Sequence, residues 1–165
     1  MKLKNIKKVP FEIAQILASN KQLIQLIYDD SADLTTEALP SATQLINEEY
    51  IGFYPATETG INSVSKNTFL IINLEDVSLQ NQDSNIGASG AIYITTDRDH
   101  CLIKQKEIRL LEIADTVEGI LEGYKLSSAG QIRLTSINYV VFSDFRSGYR
   151  INFRIYDQPT RKAEL

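Results

Sequence analysis

The chain has 165 residues, and 17 basic against 21 acidic side chains leave a net charge of −4, so gripping phosphate is not the first function to expect. At 43% hydrophobic and 23% charged, it has enough apolar surface for one self-supporting core and is not a disordered chain. The single Cys101 excludes an internal disulfide framework and fits folding in a reducing compartment.

In the N-terminal stretch MKLKNIKKVPFEIAQILA, Glu12 and Gln15 interrupt the apolar run, so a secretory signal is not expected. The longest apolar runs, FLII and YVVF, are too short to span a bilayer. The expectation is one domain over 1–165, with a flexible basic arm at 1–9, a long loop region at 29–66 and a tail at 158–165.

Pro10 suits a first helical turn, with Phe11, Ile13, Ala14, Ile16 and Leu17 as apolar positions. Ser19 or Asn20 can then cap a second helix carrying Leu23, Ile24 and Ile27. Within 29–66, ATQLINEEY fits a short helix and YIGFYP a short strand; the rest is rich in Thr, Ser, Asn and Gly and reads as loop. TFLIINLEDVSLQ predicts a strand whose start, residues 69–72, is apolar on both faces and needs a cover on each side. NQDSNIGASG reads as a turn, and AIYITTD as the next strand, with Ala91, Tyr93 and Thr95 opposite Ile92 and Ile94.

The clearest helix is KQKEIRLLEIADTVEGILEG, residues 104–123. Its stripe is Ile108, Leu111, Ile113/Ala114, Val117 and Ile120/Leu121, and Gly123 lies just past its end. Gly119 sits inside this helix, where glycine costs about 1 kcal/mol against alanine. QIRLTSINYVVF and GYRINFRIY follow as strands joined by SDFRSG. In the last, Tyr149, Ile151, Phe153 and Ile155 take one face, and Arg150, Asn152, Arg154 and Tyr156 the other. The order α(α)-β-β-α-β-β predicts an α+β fold, an antiparallel or mixed sheet with a long helix packed on one face.

No stretch carries recognisable chemistry. DRDHCLIK sets His100 beside Cys101, but an adjacent pair without further ligands is neither a metal site nor a nucleophile with its base. GASG lacks the Gly-Lys-Ser/Thr of a phosphate loop and reads as a hairpin turn. The acidic pairs Asp29–Asp30, Glu48–Glu49 and Glu75–Asp76 read as solvated surface, as do Lys2, Lys4, Lys7 and Lys8. No catalytic, metal or cofactor residue is therefore assigned. The group that stands out is Arg146, Arg150 and Arg154 with Tyr149 and Tyr156, because Arg and Tyr are enriched where proteins meet.

An initial helix, an irregular segment, a β-hairpin, EIRLLEIADTVEGILEG and a second hairpin ending in GYRINFRIYD together resemble the tail terminator, or tail-completion, proteins of tailed phages. The likeness covers mainly residues 67–157 and is one of pattern and spacing. It implies a homo-oligomeric ring, typically a hexamer, at the tail–neck junction of a virion assembled in the host cytoplasm. Such a ring stops tail-tube growth and meets a neck or head-completion protein. DNA passes through its lumen without sequence recognition, and no membrane or cofactor is involved. Head-to-tail ring closure needs two different faces on each subunit. The candidates are the doubly apolar strand start, with Phe69 and Ile71, and the basic face of the last strand, with Arg146, Arg150 and Arg154 and with Tyr149 nearby. The long 29–66 region departs from the pattern and keeps a head-completion or other neck connector open. From another class, a small-ligand-binding or regulatory α+β module remains a rival.

Overall fold

A computed structural model describes residues 3–31, 33–35, 37–53, 56–79, 86–103 and 107–156. Three short helices open the chain: α1 (Leu3–Ile6), α2 (Val9–Leu17) and α3 (Lys21–Tyr28). Pro10 lies in the first turn of α2, and the Asn20 side chain caps α3 by accepting from the Leu23 N–H at 2.9 Å. Within the expected basic arm, Ile6 and Val9 are both buried. α4 (Ala42–Asn47), capped by Ser41, and β1 (Ile51–Gly52) stand where a helix and a strand were expected. α5 (Glu58–Asn62) was not expected; its five residues carry no amphipathic period to read.

β2 (Thr68–Leu79), β3 (Ile86–Asp97), β7 (Arg146–Tyr156) and β6 (Gln131–Val141) form an antiparallel run, and β1 adds to β2 in parallel. The sheet is therefore mixed, five-stranded, in the order β1-β2-β3-β7-β6. GASG belongs to β3 and is not a turn. A Cβ on Gly90 would lie 2.1 Å from the Asn73 carbonyl oxygen and 2.6 Å from Phe153 Cζ, so this glycine marks close packing within the sheet. The last hairpin is also tighter than expected, because β7 starts at Arg146.

The long helix, α6, is shorter than its pattern, running Arg109–Leu121. Residues 107–108 pair instead as β5 (Glu107–Ile108) with β4 (Leu102–Ile103). Its buried stripe is Leu110, Ile113, Ala114, Val117 and Leu121; Ile108 and Leu111, expected inside, are exposed. Both phases fit a helical period, and the packing against β3, β6, β7 and α3 selects one. With α2 and α3, α6 covers one face of the sheet over Leu70, Ile72, Ile92, Ile94, Ile151 and Phe153. Arg109 is wholly buried and ties α6 to the end of α3. Its guanidinium donates to the carbonyl oxygens of Leu26 (2.8 Å), Asp29 (2.6 Å) and Ser31 (3.0 Å).

The expected tail at 158–165, Lys2 and the NQDSN part of the expected turn, residues 81–85, lie outside the described residues.

Candidate functional site

The two faces proposed from sequence separate in the structure. Phe69 and Ile71 are fully buried on the sheet face opposite the helices, but their cover comes from the same chain. Ile61 and Val64, in the region read as loop, close over them. As a contact for another subunit they are therefore corrected.

Arg146 is corrected for the same reason. Its side chain is 11% exposed and each of its three nitrogens donates within the chain: Nε to Asp97 Oδ1 at 2.6 Å, Nη1 to the Ile61 carbonyl at 2.5 Å, and Nη2 to the carbonyls of Val64 (2.9 Å) and Lys66 (3.1 Å). The guanidinium also lies 5.2 Å from the Phe69 ring centre. Arg146 is the clamp that holds the 61–66 cover on the sheet. No sequence signal distinguishes it from Arg150, because its partners lie 49 to 85 residues away along the chain.

Arg150 belongs to a cross-strand cluster on the same sheet face. Its Nη2 donates to Glu75 Oε2 at 2.6 Å, Tyr93 O–H donates to Glu75 Oε1 at 3.1 Å, and the guanidinium lies 5.5 Å from the Tyr93 ring centre. Burial, then the hydrogen bond to Glu75 and its charge, pushes the Tyr93 phenol up, so it stays a donor. Arg154 is exposed and has no polar partner among the described residues. It stands in register with Arg133, whose charge is taken by Glu122 at 3.0 Å. Tyr149 is on the helix side, edge-on to Tyr139 with ring centres 5.6 Å apart.

The feature that sequence reasoning missed is the position of β6, a strand it did predict. It forms one edge of the sheet. The stretch LTSINYVVFS, Leu134–Ser143, holds neither a charged residue nor a proline over its ten positions. Edge strands ordinarily carry such residues to prevent pairing with other chains. α6 cannot cover its whole length: thirteen helical residues span about 20 Å, whereas eleven strand residues span about 36 Å. α6 ends beside the start of β6, where the Gly123 N–H bonds the Ile132 carbonyl at 3.0 Å. The far end therefore overhangs, with Ile137 41%, Tyr139 59%, Val141 65% and, in the turn, Phe145 76% exposed.

The Cys–His pair occupies a single 3-10 turn, Arg98–His100, and the residue after it. Burial pushes the Cys101 thiol up, and its S–H points at the Asp97 carbonyl at 3.4 Å, which is the environment of an unreactive thiol. Among the described residues no three His, Cys, Asp or Glu side chains gather as a metal site, and no helix is long and apolar enough to cross a membrane.

The YomW family profile matches residues 20–155, most of the chain. The chain belongs to the YomW family. No curated protein matches it. Among solved structures, it is similar to a chain in the virion of a native gene transfer agent particle. The similarity covers 94% of this chain and 98% of that one, with a TM-score of 0.54 and 17% identity. At that identity the likeness is one of fold. The residues matched by the family profile include α3, α6 and all of β6.

Proposed function

We propose that the protein is a structural component of a phage-type virion. In this reading it is the ring that ends the tail tube and joins the tail to the head connector. The observation that carries the proposal is the fold likeness, over 94% of this chain and 98% of the other, to a chain of a gene transfer agent virion. The exposed, uncharged edge and overhang of β6 support it, since a protein that works by assembly needs such a surface. A net charge of −4 suits a lumen through which DNA passes without being held. The protein acts by assembly and not by catalysis, on itself, the tube protein and a neck protein. Tyr149, Arg150 and Arg154 remain contact residues in this reading, with Arg154 the charge free to meet an acidic neighbour.

Deletion of the gene from the genome that encodes the particle, followed by electron microscopy of the lysate, tests the role. Overlong, uncapped tubes and tailless heads are expected. Tubes of normal length beside leaking heads would replace the terminator role with a head-completion role. Intact infectious particles would remove the protein from the virion altogether.

A further inference from the structure

We infer that the open edge of β6 pairs with the β2 edge of a second copy, so that one sheet continues from subunit to subunit in a head-to-tail ring. This deepens the assembly reading and rests on it.

Two stretches of sheet edge lack a strand partner among the described residues, and they lie on opposite sides of the sheet. On β6, Ile132 N–H donates to the Tyr124 carbonyl and Leu134 N–H to Glu122, so the first residues of that edge are occupied. These amides point away from β7. The irregularity between Leu134 and Ser136 shifts the phase by one residue, so that Ile137, Tyr139 and Val141 present the outward amides beyond it. On β2, β1 pairs with Leu70 and Ile71, and Ile72 and Asn73 have partners of their own, so the open stretch among the described residues begins at Leu74. Leu70 N–H donates outward to Tyr50, and the irregularity between Leu74 and Asp76 moves that phase onto Val77.

β6 runs antiparallel to β2, because three successive antiparallel pairings separate them. Setting Val77 of one copy against Ile137 of the next opposes two outward amides, as an antiparallel ladder requires. In that register the faces also agree. Val77 and Leu74, half-buried on the helix side, meet the exposed Ile137 and Tyr139 on the same side. Asp76 meets Asn138, whose neighbour on β7 is Arg150. The acidic side chain thus meets an uncharged edge, one strand away from an arginine that already serves Glu75.

The stagger this demands is compatible with closure. Within one chain, Val77 shares its row with Ile132 through Ala88 and Ile155. Pairing Val77 with Ile137 of the next copy therefore shifts the ladder by five residues, from Ile132 to Ile137, for each four strands, β2, β3, β7 and β6. At about 3.3 Å per residue and about 4.8 Å between strands, that shift is a strand tilt of about 41°, within the range found in closed barrels.

The test uses two variants of the full chain, each with one edge blocked: Ile137→Pro for β6 and Val77→Pro for β2. A second pair, Asp76→Cys and Asn138→Cys, each in a Cys101→Ala background, does not depend on how the prolines are tolerated. Mass is read by light scattering and cross-links by non-reducing gel. Wild type is expected to form rings and each proline variant to stay monomeric. Their equimolar mixture should stop at two copies, since one usable edge remains on each, and the mixed cysteine variants should give a one-to-one disulfide dimer. Rings formed by either proline variant would overturn the edge contact while leaving the assembly reading standing. Dimers formed by Val77→Pro alone would show β6 pairing with itself and overturn the head-to-tail arrangement. Monomeric wild type with no cross-link in the mixture would also overturn the inference, and the terminator role would then stand or fall on the deletion phenotype.

Discussion

Replacing Arg146 with methionine should unfasten the cover over Phe69 and Ile71. Methionine keeps most of the aliphatic stem, so the loss isolates the guanidinium. That group makes one ion pair and three carbonyl hydrogen bonds at 2.5–3.1 Å while only 11% exposed. Charge-assisted bonds contribute about 1.5–3 kcal/mol each, but their sum overstates the effect. Water can reach Asp97, which is 28% exposed, once the arginine is gone. Breaking a pair this buried costs about 3–5 kcal/mol, and the lower end, about 3 kcal/mol, applies here. For a chain of this size that is a fall of about 6–12 °C in melting temperature. Urea unfolding supplies the free energy, and hydrogen exchange of residues 61–66 shows where it is lost. Lysine should recover only part of it, because a point charge cannot span three carbonyls and a carboxylate. A loss below about 1 kcal/mol with unchanged exchange in 61–66 would refute the clamp.

Two glycines should respond in opposite directions to alanine. Gly119→Ala is expected to stabilise by about 1 kcal/mol in thermal melts, because nothing lies within 4 Å of the added Cβ and the helix gains propensity. Gly90→Ala should cost about 3 kcal/mol, since the new carbon meets a backbone oxygen at 2.1 Å that cannot move without the sheet. Glu12 ties α2 to the loop before β6 by accepting from Ser127 N–H, Ser128 N–H at 3.1 Å and Ser128 O–H at 2.5 Å. Burial raises the affinity of this carboxyl for its proton, but the hydrogen bonds from Ser128 and Ser127 outweigh it, and the folded-state value is lowered. A lowered carboxylate stabilises above its unfolded value and loses that contribution as pH falls through the folded one. Glu12→Gln should therefore be less stable than wild type by about 1 kcal/mol at pH 7, and the gap should close in acid below the ordinary carboxyl value of 4.5. A gap that persists unchanged into acid would remove the ionised form from the account.

Several elements were legible because their signal is local. Alternation alone assigned the faces of β7, with Ile151, Phe153 and Ile155 buried and Arg154 and Tyr156 exposed. The Asn20 cap, the end of α6 near Gly123 and the doubly buried start of β2 were readable for the same reason. A rotation of α6 by one residue was not legible, since Leu111 and Leu110 fit the same period and only the facing sheet chooses between them. Nor could sequence separate Arg146 from Arg150 and Arg154. The three share a strand and a residue type, but one lies under a segment folded back from 80 or more residues upstream, one bridges to Glu75, and one faces outward. The uncharged run from Leu134 to Ser143 was visible from the start, but its meaning depends on strand order. In the middle of a sheet such a run is ordinary core; at the edge it exposes backbone donors and acceptors to another chain. Composition and periodicity thus determined which elements form and which way their side chains alternate. Which strand stands at the edge, and which arginine is free, is set by long-range pairing that a local pattern does not encode.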